Sequence, residues 1–267
     1  MTVGIRLNRA GRTYILPDGP VRAVDAVSLT VGPGSFVTVV GRSGCGKTTL
    51  LRLIAGLEEP TSGSIEFLRN GRRVERRDAG VGIVFQEPRL MPWLTVEQNV
   101  RFALDGRRDR EEADRKATSI LRILGLERFR DARPQQLSGG MAQRVALGRT
   151  LAFDPEIVLM DEPFGALDYF TRRVLQREIA DLHERTGKTF VLVTHDIDEA
   201  LGLGRNVIVL EAGRIVDDIA LPERSGDDGG EAVLIPLRRR ILRAITGEVR
   251  FSPDTSHRQE AGIDASH

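Results

Sequence analysis

Short runs of β-branched and other apolar residues recur along the chain and predict buried strands. These runs are Phe36–Val40, Val81–Phe85, Ile157–Met160, Phe190–Thr194 and Val207–Leu210. Several of them are followed by segments with helical periodicity. Strands that alternate with helices form parallel sheets, so we predict an α/β fold that binds ligands at the carboxyl ends of its strands.

Apolar spacing predicts three helices in particular. The first covers Lys47–Ala55, and Gly56 after it is an expected C-terminal cap. A second helix has an apolar stripe made of Phe170, Val174, Leu175, Ile179 and Leu182. A third has a stripe made of Ala113, Ala117, Ile120, Leu121 and Leu124. Each stripe predicts one buried helix face.

Two regions depart from this alternation. The N-terminal part and residues 62–80 are typical of hairpins, with Asn70-Gly71 as a tight turn. Residues 87–153 carry helical signals and few strand signals. We therefore predict an α/β core with a mainly parallel sheet, an antiparallel β sublobe and an inserted α-helical lobe at about 87–153.

The chain changes character after Leu221. The segment Ser225–Gly230 has the composition of a flexible linker, and Val233–Ile245 is a short apolar and basic segment. The remaining residues are polar, and we expect them to be disordered. We thus expect one domain over 1–223, followed by a linker, a short segment and a tail over 224–267.

Composition narrows the setting in which the chain works. Among 267 residues, 40% are hydrophobic and 29% charged, and the formal net charge is +1, so no global charge favours nucleic acid as a partner. The single Cys45 excludes an internal disulfide and is typical of a reducing compartment. Without a signal-peptide pattern or an apolar run approaching eighteen residues, a membrane role would be that of a peripheral cytoplasmic subunit.

One segment between a predicted strand and helix carries a phosphate-binding pattern. It fits G-x-x-x-x-G-K-[ST], and its candidate ATP-binding residues are Gly41, Arg42, Ser43, Gly44, Cys45, Gly46, Lys47, Thr48 and Thr49. Glycines let backbone N–H groups approach phosphate oxygens, and the helix N-terminus adds a positive dipole end. Lys47 would reach the β- and γ-phosphates, and Thr48 would coordinate Mg²⁺. We expect maleimide on Cys45 to inactivate the protein, and ATP to slow that labelling.

Two adjacent acids follow the strand Ile157–Met160. Asp161 is placed to hold Mg²⁺ through water, and Glu162 to accept a proton from an attacking water molecule. Adjacent acids after a strand also occur as solvated turns. Their combination with the phosphate-binding pattern favours the catalytic interpretation.

The segment Leu137-Ser138-Gly139-Gly140-Met141 resembles the signature motif of ATP-binding cassette (ABC) transporter ATPases, and the resemblance covers about residues 3–222. Further matches, in the family's order, are Tyr14, Gln86, Asp168 and His195. The resemblance implies that Tyr14 stacks on adenine, that Gln86 touches Mg²⁺ or the lytic water, and that His195 contacts the γ-phosphate. The less favoured alternatives are a strand aromatic for Tyr14, a surface glutamine for Gln86, a structural histidine for His195 and a helix N-cap for Asp168.

The signature segment implies a dimer. In the family, this second anion-binding turn closes on ATP held by the partner subunit, and Asp168 supports the facing site. Met141 departs from the usual glutamine, while Ser138 and the glycines are intact. Methionine here resembles import ATPases for sulfonates, taurine and nitrate, as do Leu90–Trp93 and Asp168–Arg172. Leu237–Leu242 resembles the end of aliphatic-sulfonate import ATPases more weakly.

The apolar segment Gln86–Thr95 has two interpretations: local packing of the helical lobe, or a groove for a short helix of a membrane permease. The resemblance implies an ATPase that powers import of a small anionic solute, most closely aliphatic sulfonates. Its partners would be a second copy, two permease copies and an external solute-binding protein, at the cytoplasmic membrane face. The alternatives are an exporter ATPase and a non-transport ATPase. The basic runs Arg72–Arg77 and Arg238–Arg240 indicate solvated faces rather than nucleic-acid sites.

Overall fold

The computed structural model describes residues 2–104, 110–165, 167–222 and 230–247. Within these ranges the strands are β1 (Val3–Leu16), β2 (Gly19–Val31), β3 (Phe36–Val40), β4 (Ser62–Arg69), β5 (Arg72–Val74), β6 (Val81–Val84), β7 (Ile157–Asp161), β8 (Thr189–Thr194), β9 (Asn206–Glu211) and β10 (Arg214–Ala220). The α-helices are α1 (Lys47–Ala55), α2 (Val96–Arg101), α3 (Arg110–Ile123), α4 (Gly139–Ala152), α5 (Tyr169–Thr186), α6 (Ile197–Leu203) and α7 (Gly230–Thr246). Short 3₁₀ turns lie at Arg76–Asp78, Phe102–Leu104, Glu127–Phe129 and Pro134–Gln136.

The larger of the two described sheets has the strand order β10-β9-β3-β8-β7-β6. Its strands β9, β3, β8, β7 and β6 run parallel, and β10 is antiparallel to β9. The strands β3, β7 and β8 are buried along their whole length, as expected for parallel strands covered on both faces. All five strands predicted from apolar runs lie in this sheet, so the α/β prediction is confirmed.

The smaller described sheet is antiparallel and has the order β2-β1-β4-β5. Its two hairpins lie where the sequence predicts them. Asn70 and Gly71, with φ of 53° and 75°, connect β4 to β5. Two consecutive positive φ angles are what a type I′ hairpin turn requires. Apolar residues of β1, β2 and α1 share one core with strands of the larger sheet, which brings the β sublobe against the start of α1.

Helices fill the interval between β6 and β7. The described residues of 87–153 form α2, α3 and α4 and contain no strand. The apolar stripe predicted for the third helix is buried at every position, on α3 and just beyond it. A Cβ at Gly148 would lie 2.8 Å from the Leu124 side chain, so this glycine permits close approach of α4 to α3.

The stripe predicted for α5 is only partly correct. Leu175 and Ile179 are buried, whereas Phe170 is 80% exposed and Val174 is about half exposed. Phe170 and Val174 form their own i,i+4 row, one residue before the Leu175–Ile179 row. Leu182 continues the Phe170–Val174 row and packs partly against the same core as Leu175 and Ile179. The row is therefore exposed near the start of α5 and partly buried toward its end, which the apolar spacing alone does not show.

The helix α7 contains the predicted apolar and basic segment Val233–Ile245 and packs on the larger sheet. Ile241 and Ala244 are buried in a cluster with residues of β9 and α6. Arg240 donates two hydrogen bonds, of 2.6 and 2.7 Å, to the buried carboxylate of Asp217 on β10. Apolar contact and a bidentate ion pair together hold this helix in place.

The predicted linker, apart from Gly230, and the predicted polar tail lie outside the described residues. The division of the chain at 223/224 therefore stays a prediction. No helix in the described part of the chain is both long and apolar enough to cross a bilayer.

Candidate functional site

The phosphate-binding pattern forms the loop between the end of β3 and the start of α1. Two of its glycines are required by close packing. A Cβ at Gly46, where φ is 106°, would lie 2.0 Å from the carbonyl oxygen of Ala23 on β2. A Cβ at Gly41 would lie 2.1 Å from the carbonyl oxygen of Leu210 on β9. The loop is therefore held between two strands, because only glycine fits at these positions.

The other side of this loop is open. Gly44 has a φ of 79°, and no atom lies within 4 Å of the position that its Cβ would take. Arg42 and Ser43 are exposed beside it. Gly46 is the N-cap of α1 and supplies no side-chain hydrogen bond to the first turn. The N–H groups of the helix start thus have no side-chain cap, which suits an anion such as a phosphate.

The side chain of Lys47 is buried inside the loop. Its Nζ donates to the carbonyl oxygens of Gly41 and Arg42 at 2.9 and 3.0 Å. No salt bridge of Lys47 is present among the described residues. A buried ammonium is costly unless a negative group compensates its charge. A phosphate in the loop would supply that counter-charge, so the residues present fit a nucleotide.

Thr48 and Asp161 come together from α1 and β7. The Thr48 hydroxyl donates to Asp161 Oδ1 at 3.2 Å. Burial raises the pKa of the Asp161 carboxyl, and the hydrogen bond from Thr48 opposes that rise. A cation at this point would favour the charged carboxylate. Hydroxyl and carboxylate oxygens are ligands that Mg²⁺ accepts, usually together with water and substrate phosphates, so the pair fits Mg²⁺.

Glu162 and His195 contact each other at the carboxyl edge of the sheet. The strands β7 and β8 are parallel neighbours that end just before these two residues. Glu162 Oε2 lies 3.1 Å from His195 Nδ1, and the His195 side chain is 63% exposed. Glu162 has a φ of +46°, a conformation that costs a non-glycine residue about 1–3 kcal/mol and occurs preferentially at functional sites. Glu162, predicted from the acids that follow a strand, thus contacts His195, predicted from the family resemblance.

Gln86 follows β6 at the same edge. Val84 ends β6 and pairs with Met160 of β7. Gln86 therefore follows the strand that neighbours the one ending at Asp161. The side chain of Gln143, from α4, donates to the carbonyl oxygen of Phe85 at 2.9 Å. This contact ties the position of Gln86 to α4, and the Gln86 side chain itself is exposed.

Tyr14 lies on β1 and pairs with Val21 of β2. Ala23, two residues after Val21, has the carbonyl oxygen that lies against Gly46. The Tyr14 hydroxyl donates to Glu58 Oε2 at 2.5 Å. The guanidinium carbon of Arg12 lies 4.9 Å from the ring centroid. Because Arg12 covers one face of the ring, the opposite face is the one left for stacking on a base.

The signature segment lies at the start of α4. Ser138 Oγ accepts a hydrogen bond from Met141 N at 3.3 Å and is the N-cap of α4. Ser138 and Gly139 are exposed, whereas Leu137 and Met141 pack partly against the helical core. A Cβ at Gly140 would lie 2.7 Å from the Leu167 side chain. The helix α4 packs against α2, α3 and β6, and its exposed start lies beside Leu167. The phosphate loop lies between β2 and β9.

Asp168 is the N-cap of α5, which was one of its two interpretations. Its Oδ1 accepts a hydrogen bond from Thr171 N at 3.0 Å. Hydrogen bonds from Thr171 lower the pKa of the exposed Asp168 carboxyl. Asp168 is exposed while it caps α5, so capping does not conflict with a role toward a facing subunit.

Sequence reasoning missed two charged residues behind His195. Glu199 on α6 is 6% exposed, and Arg172 on α5 approaches it. In the sequence, Asp196 three positions before Glu199 indicates a helix start. Nothing in the pattern shows that Glu199 is buried, since acids in a first helical turn usually face solvent.

Cys45 is more protected than the sequence suggests. Its side chain is buried in the core, and burial raises the pKa of the thiol above its usual value. Maleimide reacts with the thiolate. We therefore expect slow labelling of the folded protein near pH 7, faster labelling as pH rises above 9, and further slowing by Mg-ATP.

The labelling measurement is a time course by mass spectrometry, with protein unfolded in urea as the fast-reacting control. Equal rates in folded and unfolded protein would contradict the burial of Cys45. Equal rates with and without nucleotide would argue against phosphate binding by this loop.

Known proteins resemble this chain over most of its length. The family described as "ABC transporter" matches residues 24–165. An uncharacterized ABC transporter ATP-binding protein of Methanocaldococcus jannaschii is 44% identical over 252 residues, covering 93% of this chain and 94% of the relative. The taurine import ATP-binding protein TauB of Roseobacter denitrificans is 43% identical over 224 residues, 82% of each chain. The aliphatic sulfonates import ATP-binding protein SsuB of Bacillus subtilis is 46% identical over 189 residues, 71% of this chain and 72% of SsuB.

Solved structures agree with these sequence matches. A dimeric structure of the ATP-binding cassette MJ0796, in a post-hydrolysis state bound to ADP and Pi, superposes with a TM-score of 0.74 at 34% identity. The match covers 82% of this chain and 100% of that chain. A second dimeric structure of MJ0796, described as a bacterial ABC transporter cassette, gives the same TM-score at 35% identity. This chain therefore belongs to the ABC transporter family and is an ATP-binding, ATP-hydrolysing protein of that family.

Proposed function

We propose that this chain is the ATPase subunit of an importer for a small anionic solute. We rank aliphatic sulfonates as the first candidate solute, taurine as the second, and nitrate or a related anion as the third. The observation that carries this proposal is the identity of 41–46% to relatives named as sulfonate or taurine import ATP-binding proteins. The cargo itself would pass through a permease, so the site geometry supports ATP hydrolysis and the relatives support the solute class.

Binding of the nucleotide is assigned to the loop and the residues around it. The backbone N–H groups of 41–46 and the start of α1 would hold the phosphates, with Lys47 as their counter-charge. Tyr14 would offer its uncovered face to the adenine. Thr48, Asp161 and Gln86 would hold Mg²⁺, which when bound stabilises negative charge on the phosphates.

Hydrolysis is assigned to the pair at the edge of the sheet. Glu162 would accept the proton of a water molecule as that water attacks the γ-phosphate. His195, in contact with Glu162, would orient this carboxylate and donate toward the phosphate. Gln86, exposed at the same edge, would report the presence of the phosphate to the segment that follows it.

Two copies would complete the site. The exposed start of α4, with Ser138 and Gly139, would form a second anion-binding turn, on a different helix from the one that follows the phosphate loop. We propose that it closes on ATP held by a second copy, as in a head-to-tail dimer. Asp168 would then face the partner's site. The dimeric state of the similar structures supports this arrangement.

The permease would dock near Trp93. This tryptophan is 68% exposed, while Leu90 packs partly against the helical core. The buried Asn99 exchanges hydrogen bonds with Met91 at 2.9 and 3.2 Å and so braces the segment. The two interpretations of this segment apply to different side chains, with Leu90 packed locally and Trp93 left available. We place the assembled protein at the cytoplasmic membrane face, with two permease copies and an external solute-binding protein.

Deletion of the gene in the source organism is expected to abolish growth on an alkanesulfonate or taurine as sole sulfur source. Growth on sulfate should be unaffected, because only the import step is lost. The wild-type gene should restore growth, and a Lys47→Ala gene should not. Growth on nitrate as sole nitrogen source tests the third solute. Unchanged growth and uptake on all three solutes would contradict the proposed cargo.

A further inference from the structure

Arg172 joins two loops that border the proposed catalytic pair. It lies in the first turn of α5, four residues after Asp168. Its Nη2 donates to the carbonyl oxygen of Leu167 at 3.2 Å. Its Nη1 donates to Asp196 Oδ2 at 3.5 Å and lies 3.7 Å from Glu199 Oε1. One guanidinium therefore connects the loop before α5 with the start of α6.

The carboxylate of Glu199 is buried beside this guanidinium. Thr194 Oγ1 donates to Glu199 Oε2 at 2.6 Å, and the same Oγ1 accepts a hydrogen bond from Asp196 N at 3.1 Å. Burial raises the pKa of the Glu199 carboxyl, while the Thr194 hydrogen bond and the charge of Arg172 oppose that rise. A buried carboxylate needs such partners, so Arg172 and Thr194 together stabilise its charged form.

These contacts fix both residues that flank His195. Thr194, before it, is held by Glu199, and Asp196, after it, is held by Arg172 and caps α6 through its own Oδ1. The His195 ring itself is largely exposed, so few side-chain contacts orient it. Its position 3.1 Å from Glu162 therefore depends on the backbone of the turn 194–196.

We infer that Arg172 is a positioning residue for ATP hydrolysis. It holds the turn 194–196 through Asp196 and Glu199, so that His195 stays against Glu162. Through the carbonyl of Leu167, it also ties this turn to the loop that ends at Asp168. The inference rests on the proposed catalytic role of the His195–Glu162 pair.

The test compares Arg172→Ala with Arg172→Lys and Arg173→Ala in the full-length chain. Arg172→Ala should lower kcat for ATP by about 10–100-fold, the scale of a misplaced catalytic group. KM and nucleotide affinity should change less than about twofold, because the phosphate loop is untouched. Arg172→Lys should be intermediate, since an ammonium keeps the charge but lacks the planar fork. Arg173→Ala should resemble wild type, because Arg173 is exposed and stacks over Tyr169.

A purely structural role predicts a different result. Arg172→Ala would then unfold at a lower temperature while the folded fraction kept its normal kcat. Circular dichroism and binding of a fluorescent ATP analogue measure folding and site integrity. An intermediate kcat in a well-folded Arg172→Lys supports the inference even where Arg172→Ala folds poorly. Wild-type kcat in both Arg172 variants would overturn it.

A double variant tests whether Arg172 acts by positioning His195. In single-turnover assays, Arg172→Ala should lower hydrolysis little further when His195→Ala is already present, because both changes disable the same group. Fully additive losses of hydrolysis rate in the double variant would show that Arg172 does not act through His195, and would overturn the inference. Wild-type turnover in His195→Ala would contradict the catalytic role proposed for His195, on which the inference rests. A low rate in His195→Ala together with a normal rate in Arg172→Ala would reject only the inference.

Discussion

Replacing Glu162 by Gln is expected to lower ATP turnover by about 10²–10⁴-fold, the usual contribution of a general base. The amide keeps the shape of the side chain and can still accept a hydrogen bond, so the contact with His195 and the binding of ATP should persist. Because ATP would close the dimer and hydrolysis would reopen it, this variant should accumulate as an ATP-bound dimer. Steady-state phosphate release and size-exclusion chromatography with Mg-ATP measure the two effects.

The control for this substitution is Glu184→Gln, which neutralises an exposed glutamate on α5. It should keep wild-type turnover and give no trapped dimer. Near-normal turnover in Glu162→Gln would show that another group accepts the proton. Lost ATP binding in the same variant would instead indicate a structural role for Glu162, whose backbone lies in the left-handed region.

The second large effect is expected from Ser138→Arg, which places charge and bulk at the exposed start of α4. ATP binding by the monomer should remain, because Ser138 belongs to α4 and the phosphate loop to α1. Dimer closure and hydrolysis should be lost. Nucleotide binding, ATPase rate and dimer formation are measured on the same preparation.

Mixing Ser138→Arg with Lys47→Ala tests whether each site takes parts from two chains. In the mixed dimer, one composite site carries both lesions and the other carries none. Random pairing makes half of the dimers mixed, each with one intact site, so independent sites should recover roughly a quarter of wild-type activity. Each parent alone should be inactive. No recovery, despite proven mixed dimers, would contradict independently competent composite sites.

Two controls separate this effect from damage to α4. Ser138→Gly removes the capping hydroxyl without adding bulk, and glycine at an N-cap costs only a few tenths of a kcal/mol. Its activity reports the contribution of the hydroxyl alone. Met141→Gln should keep most activity, because glutamine is the usual residue at this position of the signature and the backbone N–H of residue 141, which donates to Ser138, is unchanged.

The strands and the phosphate loop could be predicted because their signals are local. Every residue of β3 is buried, so its apolar run is continuous, and the helix α1 begins and ends as its spacing and Gly56 indicate. The residues of the loop are constrained by backbone conformation, which a spacing of glycines records directly. Resemblance to a family then extended the prediction to Gln86 and His195, whose surroundings no local pattern describes.

The sequence by itself determined the α/β class, the order of the elements and most of the candidate site residues. Only the tertiary structure decided that Phe170 and Val174 near the start of α5 are exposed while Leu175 and Ile179 are buried, because apolar spacing does not show where along a helix the contact with the core begins. It also decided that Glu162 contacts His195, and that Arg172 and Glu199 support the turn behind them. The physical reason is that burial of a charge and contact between distant residues depend on how β7, β8, α5 and α6 pack. That packing leaves no periodic trace in the sequence.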